Sequence, residues 1–113
     1  MEKFPGYEQF EIELRDAISA RQAGNEGKAR VCARRAVGII VGEHLRRQSI
    51  HLNDPSAYNR IRYLISMDNI SEDLRETAQH FVTKVTTDLK LPDEVDLIAD
   101  ALWMKNSLLR NGQ

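Results

Sequence analysis

The sequence predicts an all-α fold: an up-and-down four-helix bundle with an extra short helix. Three observations carry that prediction. Every periodic stretch repeats its apolar residues at three- and four-residue steps. No stretch alternates with period two, so no sheet is expected. The breaks between periodic stretches hold helix start and stop residues: Gly24–Asn25, Asp54–Pro55, Ser71 and Pro92.

The first helix is expected from about Tyr7 to Ala23. Tyr7, Phe10, Leu14, Ala17 and Ile18 make its apolar stripe. Gly24 ends it, and Asn25 caps the next. The second runs from about Glu26 to Gln48. Ala29, Ala33, Ala36, Val37 and Ile40 form one face, and Cys32, Ile39, Val41 and Leu45 widen it on both sides. A helix apolar around most of its middle is buried on several sides. The short link makes the first two helices an antiparallel hairpin.

Asp54 is expected to cap a third helix with Pro55 at its first position. Tyr58, Ile61, Leu64 and Ile65 are its inward residues. Ser71 caps a fourth, with Glu72 and Asp73 in the first turn, where the macrodipole favours acids. Leu74, Ala78, Phe81, Val82 and Val85 then point inward. Pro92 opens the last helix, and Asp93, Glu94 and Asp96 load its first turn. Val95, Ile98, Leu102 and Leu109 make one stripe of it; Leu97, Ala101, Met104 and Leu108 make a second. Two apolar faces want two neighbours, and another subunit can supply one.

Composition bounds the function. The 113 residues, 42% hydrophobic and 29% charged, fit one globular domain, residues 1–113. A net charge of −1 gives no whole-protein pull on nucleic acid or anionic lipid, so any such binding needs a local patch. The one cysteine, Cys32, excludes an internal disulfide and points to a reducing compartment. No secretory h-region is visible, and no apolar run approaches the ~20 residues that span a bilayer. A cytoplasmic protein without a membrane segment is expected. His44, His51 and His80 are dispersed and no ligand pair has metal spacing, so neither metal nor other cofactor is expected.

Gly38 to Gly42 reads GIIVG. A phosphate loop follows a strand and ends in Gly-Lys-Ser/Thr, and neither condition is met. Two glycines four apart on one helix face suit close helix packing instead. Each costs roughly 1 kcal/mol of helix propensity against alanine, so a contact should compensate. Arg30 and Arg34 share a helix face with Arg35 beside it. A solvated face explains them most simply. A grip on phosphate or on an acidic partner is the functional alternative, because guanidinium suits both.

The stretches "AISARQAGNEGKARVCARRAVGIIVGEHLRR" and "LPDEVDLIADALWMKNSLL" look like the long first hairpin and the closing helix of one known architecture, with "YNRIRYLI" in the place of its short helix. The pattern resembles the HEPN superfamily, four-helix-bundle domains of prokaryotic toxin–antitoxin systems and nucleotidyltransferase partners. The resemblance implies a homodimer and a protein, nucleotide or RNA partner. Active HEPN ribonucleases carry an arginine followed at short spacing by a histidine, and Arg75-Glu-Thr-Ala-Gln-His80 matches that spacing. Two features speak against it. Glu76 repels RNA phosphate, and five helical steps set Arg75 and His80 about 140° apart. A second alignment puts Lys84-Val85 at the place of an Arg-Tyr segment, and the catalytic motif is then absent. The expected function is a non-catalytic HEPN-like binding module, with Arg30, Arg34 and Arg35 as anion-binding residues. The alternatives are a metal-independent endoribonuclease using Arg75 and His80, and a purely structural dimerisation domain. A cleft shared by Arg75 and His80 separates the first two; fully solvated arginines and no pocket mark the third.

Overall fold

The computed structural model of the chain describes residues 4–83 and 95–109. These residues are all-helical. Five α-helices follow one another: α1 (Tyr7–Gln22), α2 (Glu26–Arg47), α3 (Ala57–Ser66), α4 (Glu72–His80) and α5 (Leu97–Leu108). No strand occurs among the described residues. Among the described residues α1 and α2 are the longest helices, at 16 and 22 residues, and α3, α4 and α5 span 10, 9 and 12.

α1 ends in a complete Schellman turn. Gly24 takes φ +80°, its N–H donates to the Arg21 carbonyl, and the Asn25 N–H donates to Ala20. Asn25 then caps α2, its side chain accepting from the Lys28 N–H. The link forces the hairpin, and Gly6, before α1, lies against Ile39 far along α2.

α2 is the hub. It packs on α1, α3 and α5, while α4 bridges α3 and α5. Its buried residues include Ala29, Ala33, Ala36, Val37, Ile40, Val41 and Leu45 on several sides, as the ring of apolar residues predicts. Phe10 from α1, Ile61 and Leu64 from α3 and Met104 from α5 complete the core, all fully buried. One carboxylate is buried with them: Glu43 accepts from Arg46 at 2.9 and 2.6 Å and from Arg47 at 2.9 Å.

Several local expectations need correction. α3 is capped by Ser56, not Asp54: the Ser56 hydroxyl accepts from the Asn59 N–H. Asp54 instead takes the Ser56 N–H, closing a turn that holds Pro55 outside the helix. α4 ends at His80, so Phe81 is its C-cap and Val82 lies beyond it; Val85 lies outside the described residues. Asp96 is the N-cap of α5, accepting from Ile98 and Ala99, rather than a first-turn acid. Pro92, Asp93 and Glu94 lie outside the described residues. Ile18, Tyr58 and Leu102 were expected inside and are 40%, 42% and 40% exposed. In each helix the neighbours cover a narrower arc than the apolar stripe spans.

Candidate functional site: a basic pocket at the start of α2

Arg30 and Arg34 sit one turn apart on the first half of α2. With Gly27 they form one wall of a pocket of about 160 Å³. Val31 of α2, His80, Phe81 and Thr83 at and beyond the end of α4, and Leu97 at the start of α5 form the rest. Both arginines are half-buried, and neither makes an ion pair with a described residue. The pocket thus collects an imidazole and two guanidinium groups that pair with no carboxylate among the described residues. Gly27 places one edge of the pocket beside the first turn of α2, where the helix dipole is positive.

His80 is held from behind. Its Nδ1 lies 2.8 Å from Oδ2 of Asp100 on α5. A carboxylate only accepts, so Nδ1 carries the hydrogen. That leaves Nε2 unpartnered among the described residues, an acceptor when the ring is neutral and a donor when it is charged. Asp100 therefore fixes both the tautomer and the ring orientation.

Arg75 is elsewhere. Its guanidinium donates to the carbonyls of Ile65 and Met67 and pairs with Glu72 at 3.2 Å. Those carbonyls are the orphans at the C-terminal end of α3, so Arg75 ties α4 to α3. Arg75 thus faces α3, whereas His80 faces α5 and lines the basic pocket without it. Arg35 is exposed and lines no pocket described here. Lys84 and Val85, the alternative motif position, lie outside the described residues.

The two glycines of GIIVG serve α3. A Cβ on Gly38 would lie 2.5 Å from the Cβ and 2.8 Å from the Cα of Ala57. Gly42 lies beneath the Arg60 guanidinium, which donates to the Gly38 carbonyl at 3.3 Å and to that of Asp54 at 2.8 Å. Cys32 is buried, and burial pushes its thiol pKa up, which suits core packing rather than nucleophilic chemistry. Among the described residues no group of three His, Cys, Asp or Glu can hold a metal ion. No described helix is long and apolar enough to cross a membrane.

Asp100 and Arg60 escaped the sequence reading. Each acts across the fold on a residue with no spacing relation to it, so periodicity carries no trace of either. Glu43 did leave a signal, two arginines at its i+3 and i+4 positions. Comparison with known proteins adds nothing further: no family model, curated protein or solved structure matches the chain.

Proposed function

We propose that the domain is a HEPN-like binding module that seats a phosphate group, from a nucleotide or an RNA backbone, between Arg30, Arg34 and His80. The observation that carries this is the convergence of three cationic or potentially cationic side chains, from two helices, on one small pocket. Its volume equals roughly five water molecules and falls below the ~300 Å³ of common whole-ligand sites. It suits the phosphate of a larger ligand, with the remainder lying outside. Half-buried arginines in a pocket also speak against a purely structural domain, which requires neither.

The test is calorimetric titration of the full chain with AMP and with a short single-stranded RNA, without metal. Arg30→Gln and Arg34→Gln should each weaken binding about tenfold, the low end for a charge-assisted hydrogen bond. Unchanged affinity in both variants would refute the site.

A second reading is favoured by the His80–Asp100 pair. A tautomer-locked imidazole beside two guanidinium groups is suited to metal-independent RNA cleavage. His80 Nε2 would take the 2′-hydroxyl proton, the 2′-oxygen would attack phosphorus as the bond from phosphorus to the 5′-oxygen breaks, and the charged His80 would return that proton to the leaving 5′-oxygen, giving a 2′,3′-cyclic phosphate and a 5′-hydroxyl. Arg30 and Arg34, rather than Arg75, would hold the phosphate. Metal-free cleavage of single-stranded RNA by the parent, and none by His80→Ala, would establish this over simple binding.

The module is proposed to act as a homodimer in a reducing, cytoplasmic compartment. Leu102 and Trp103, 40% and 41% exposed on α5, support a paired surface. Trp103→Glu should convert a sedimenting dimer to monomer; a parent that already sediments as monomer would refute the dimer.

A further inference from the structure

A second cleft among the described residues, larger than the basic pocket, lies at the opposite half of α2. Its volume is about 570 Å³, within the range of small-molecule sites. Ile39, Ile50 and Leu52 give it an apolar floor; Arg46, His51 and Arg60 give it a basic rim. Arg34 and Gly42 are eight residues apart on α2, about 12 Å of helix, so this cleft is separate from the phosphate pocket.

The three basic groups are not equivalent. Arg46 is spent: Glu43 accepts from it twice and cancels its charge. Arg60 is not. It is half-buried, and its bonds run only to the carbonyls of Asp54 and Gly38. The Asp54 carboxylate is occupied by the Ser56 N–H at 2.9 Å and the Asn59 amide at 2.8 Å, and reaches Arg60 only through space. The Nη2 group of Arg60 has no partner among the described residues. A half-buried guanidinium whose hydrogen bonds run only to neutral carbonyls leaves a cationic group with donors to spare in the cleft wall. The missing side chain of Gly42 is what lets it lie there. His51, exposed and without an ion-pair partner among the described residues, stands on the same rim.

We propose that this cleft is a second binding site, for a small organic acid: a carboxylate seated on Arg60 and His51, with an apolar body on Ile39, Ile50 and Leu52. One planar guanidinium edge matches a carboxylate in shape. The apolar floor has no use for inorganic phosphate.

The probes are benzoate, its neutral counterpart benzamide, and inorganic phosphate, titrated into the ¹⁵N-labelled full chain. Benzoate should move the amide signals of Gly42, Ile50 and Leu52, and benzamide should not. Arg60→Gln should weaken benzoate binding about tenfold. Arg60 also tethers α3, so its helical content must first match the parent's by circular dichroism. His51→Ala, at an exposed loop position, gives an independent reading and should weaken benzoate severalfold. Equal shifts from benzamide, no shift from benzoate, or phosphate moving these amides where benzoate does not would each overturn the site. Failure here with phosphate still moving Gly27, Arg30 and Arg34 would leave the phosphate pocket standing.

Discussion

Substituting Gly38 by alanine tests how α3 is seated. In a helix this change normally stabilises, by roughly 1 kcal/mol, because glycine has the greater backbone freedom to lose. Here the added methyl would stand 2.5 Å from one carbon of Ala57 and 2.8 Å from its backbone Cα. Ordinary carbon contacts begin near 3.5 Å, so α3 must retreat by about 1 Å along its whole first turn. Overpacking of this kind typically costs ~1–3 kcal/mol, and a clash against backbone belongs at the upper end. The retreat also stretches the 3.3 Å bond from Arg60 to the Gly38 carbonyl, worth about another 1 kcal/mol. The net expectation is destabilisation by about 3 kcal/mol, or roughly 12 °C in Tm. Two internal controls share the helix. Gly42→Ala meets only the end of the Arg60 side chain, which can swing, so it should be near neutral. Gly27→Ala meets nothing closer than 3.8 Å and should stabilise by about 0.5–1 kcal/mol. Urea unfolding of the three variants gives the ranking. A Gly38→Ala protein as stable as Gly27→Ala would refute the close approach of α2 and α3.

Other substitutions separate structural from binding roles. Arg75→Ala should cost about 2 kcal/mol in urea unfolding, because carbonyls at the end of α3 lose their donor, yet leave phosphate binding unchanged. Ser71→Ala should cost about 1 kcal/mol by removing the acceptor for the Leu74 N–H, whereas Asp54→Ala should not behave as a cap loss. Acid stability should fall in two stages. Burial lowers the His44 pKa, so the unfolded chain binds more protons and stability declines once pH drops below about 6.5. Hydrogen bonds from Arg46 and then Arg47 hold the Glu43 carboxyl below its usual value, so its contribution is complete above about 4.5 and lost beneath it. His44→Gln should flatten the first stage and Glu43→Gln the second; slopes identical to the parent's would refute both assignments.

What the sequence made legible was local. Gly24, Asn25 and Ser71 cap or stop helices through bonds that span no more than five residues, so residue type and spacing suffice to read them. The start of α3 was less legible because Asp54 and Ser56 are both good caps, and only geometry decides that Asp54 closes the turn while Ser56 closes the helix. Apolar stripes announced which residues share a face, but not how wide an arc the neighbours cover. Ile18 and Leu102 are periodic and exposed for that reason.

The site was legible in half. Arg30 and Arg34 are one turn apart, and helical spacing alone puts them together. It cannot supply the third member. His80 reaches them only because α4 stops there and its C-cap Phe81 is buried beside them, and Asp100 reaches His80 from α5, twenty positions on. The family-like spacing of Arg75 and His80 joins a histidine that lines the proposed pocket to an arginine that ties α4 to α3. The reason is geometric. About 140° of helical rotation sends Arg75 to the side of α4 that meets α3 and His80 to the side that meets α5. A pair on one helix at that angle serves two neighbours, whereas arginines at i and i+4 on another helix serve one pocket. Exchange of partners follows from it: an Arg30→Gln, Arg34→Gln double variant should lose phosphate while keeping full stability, and Arg75→Ala should do the reverse.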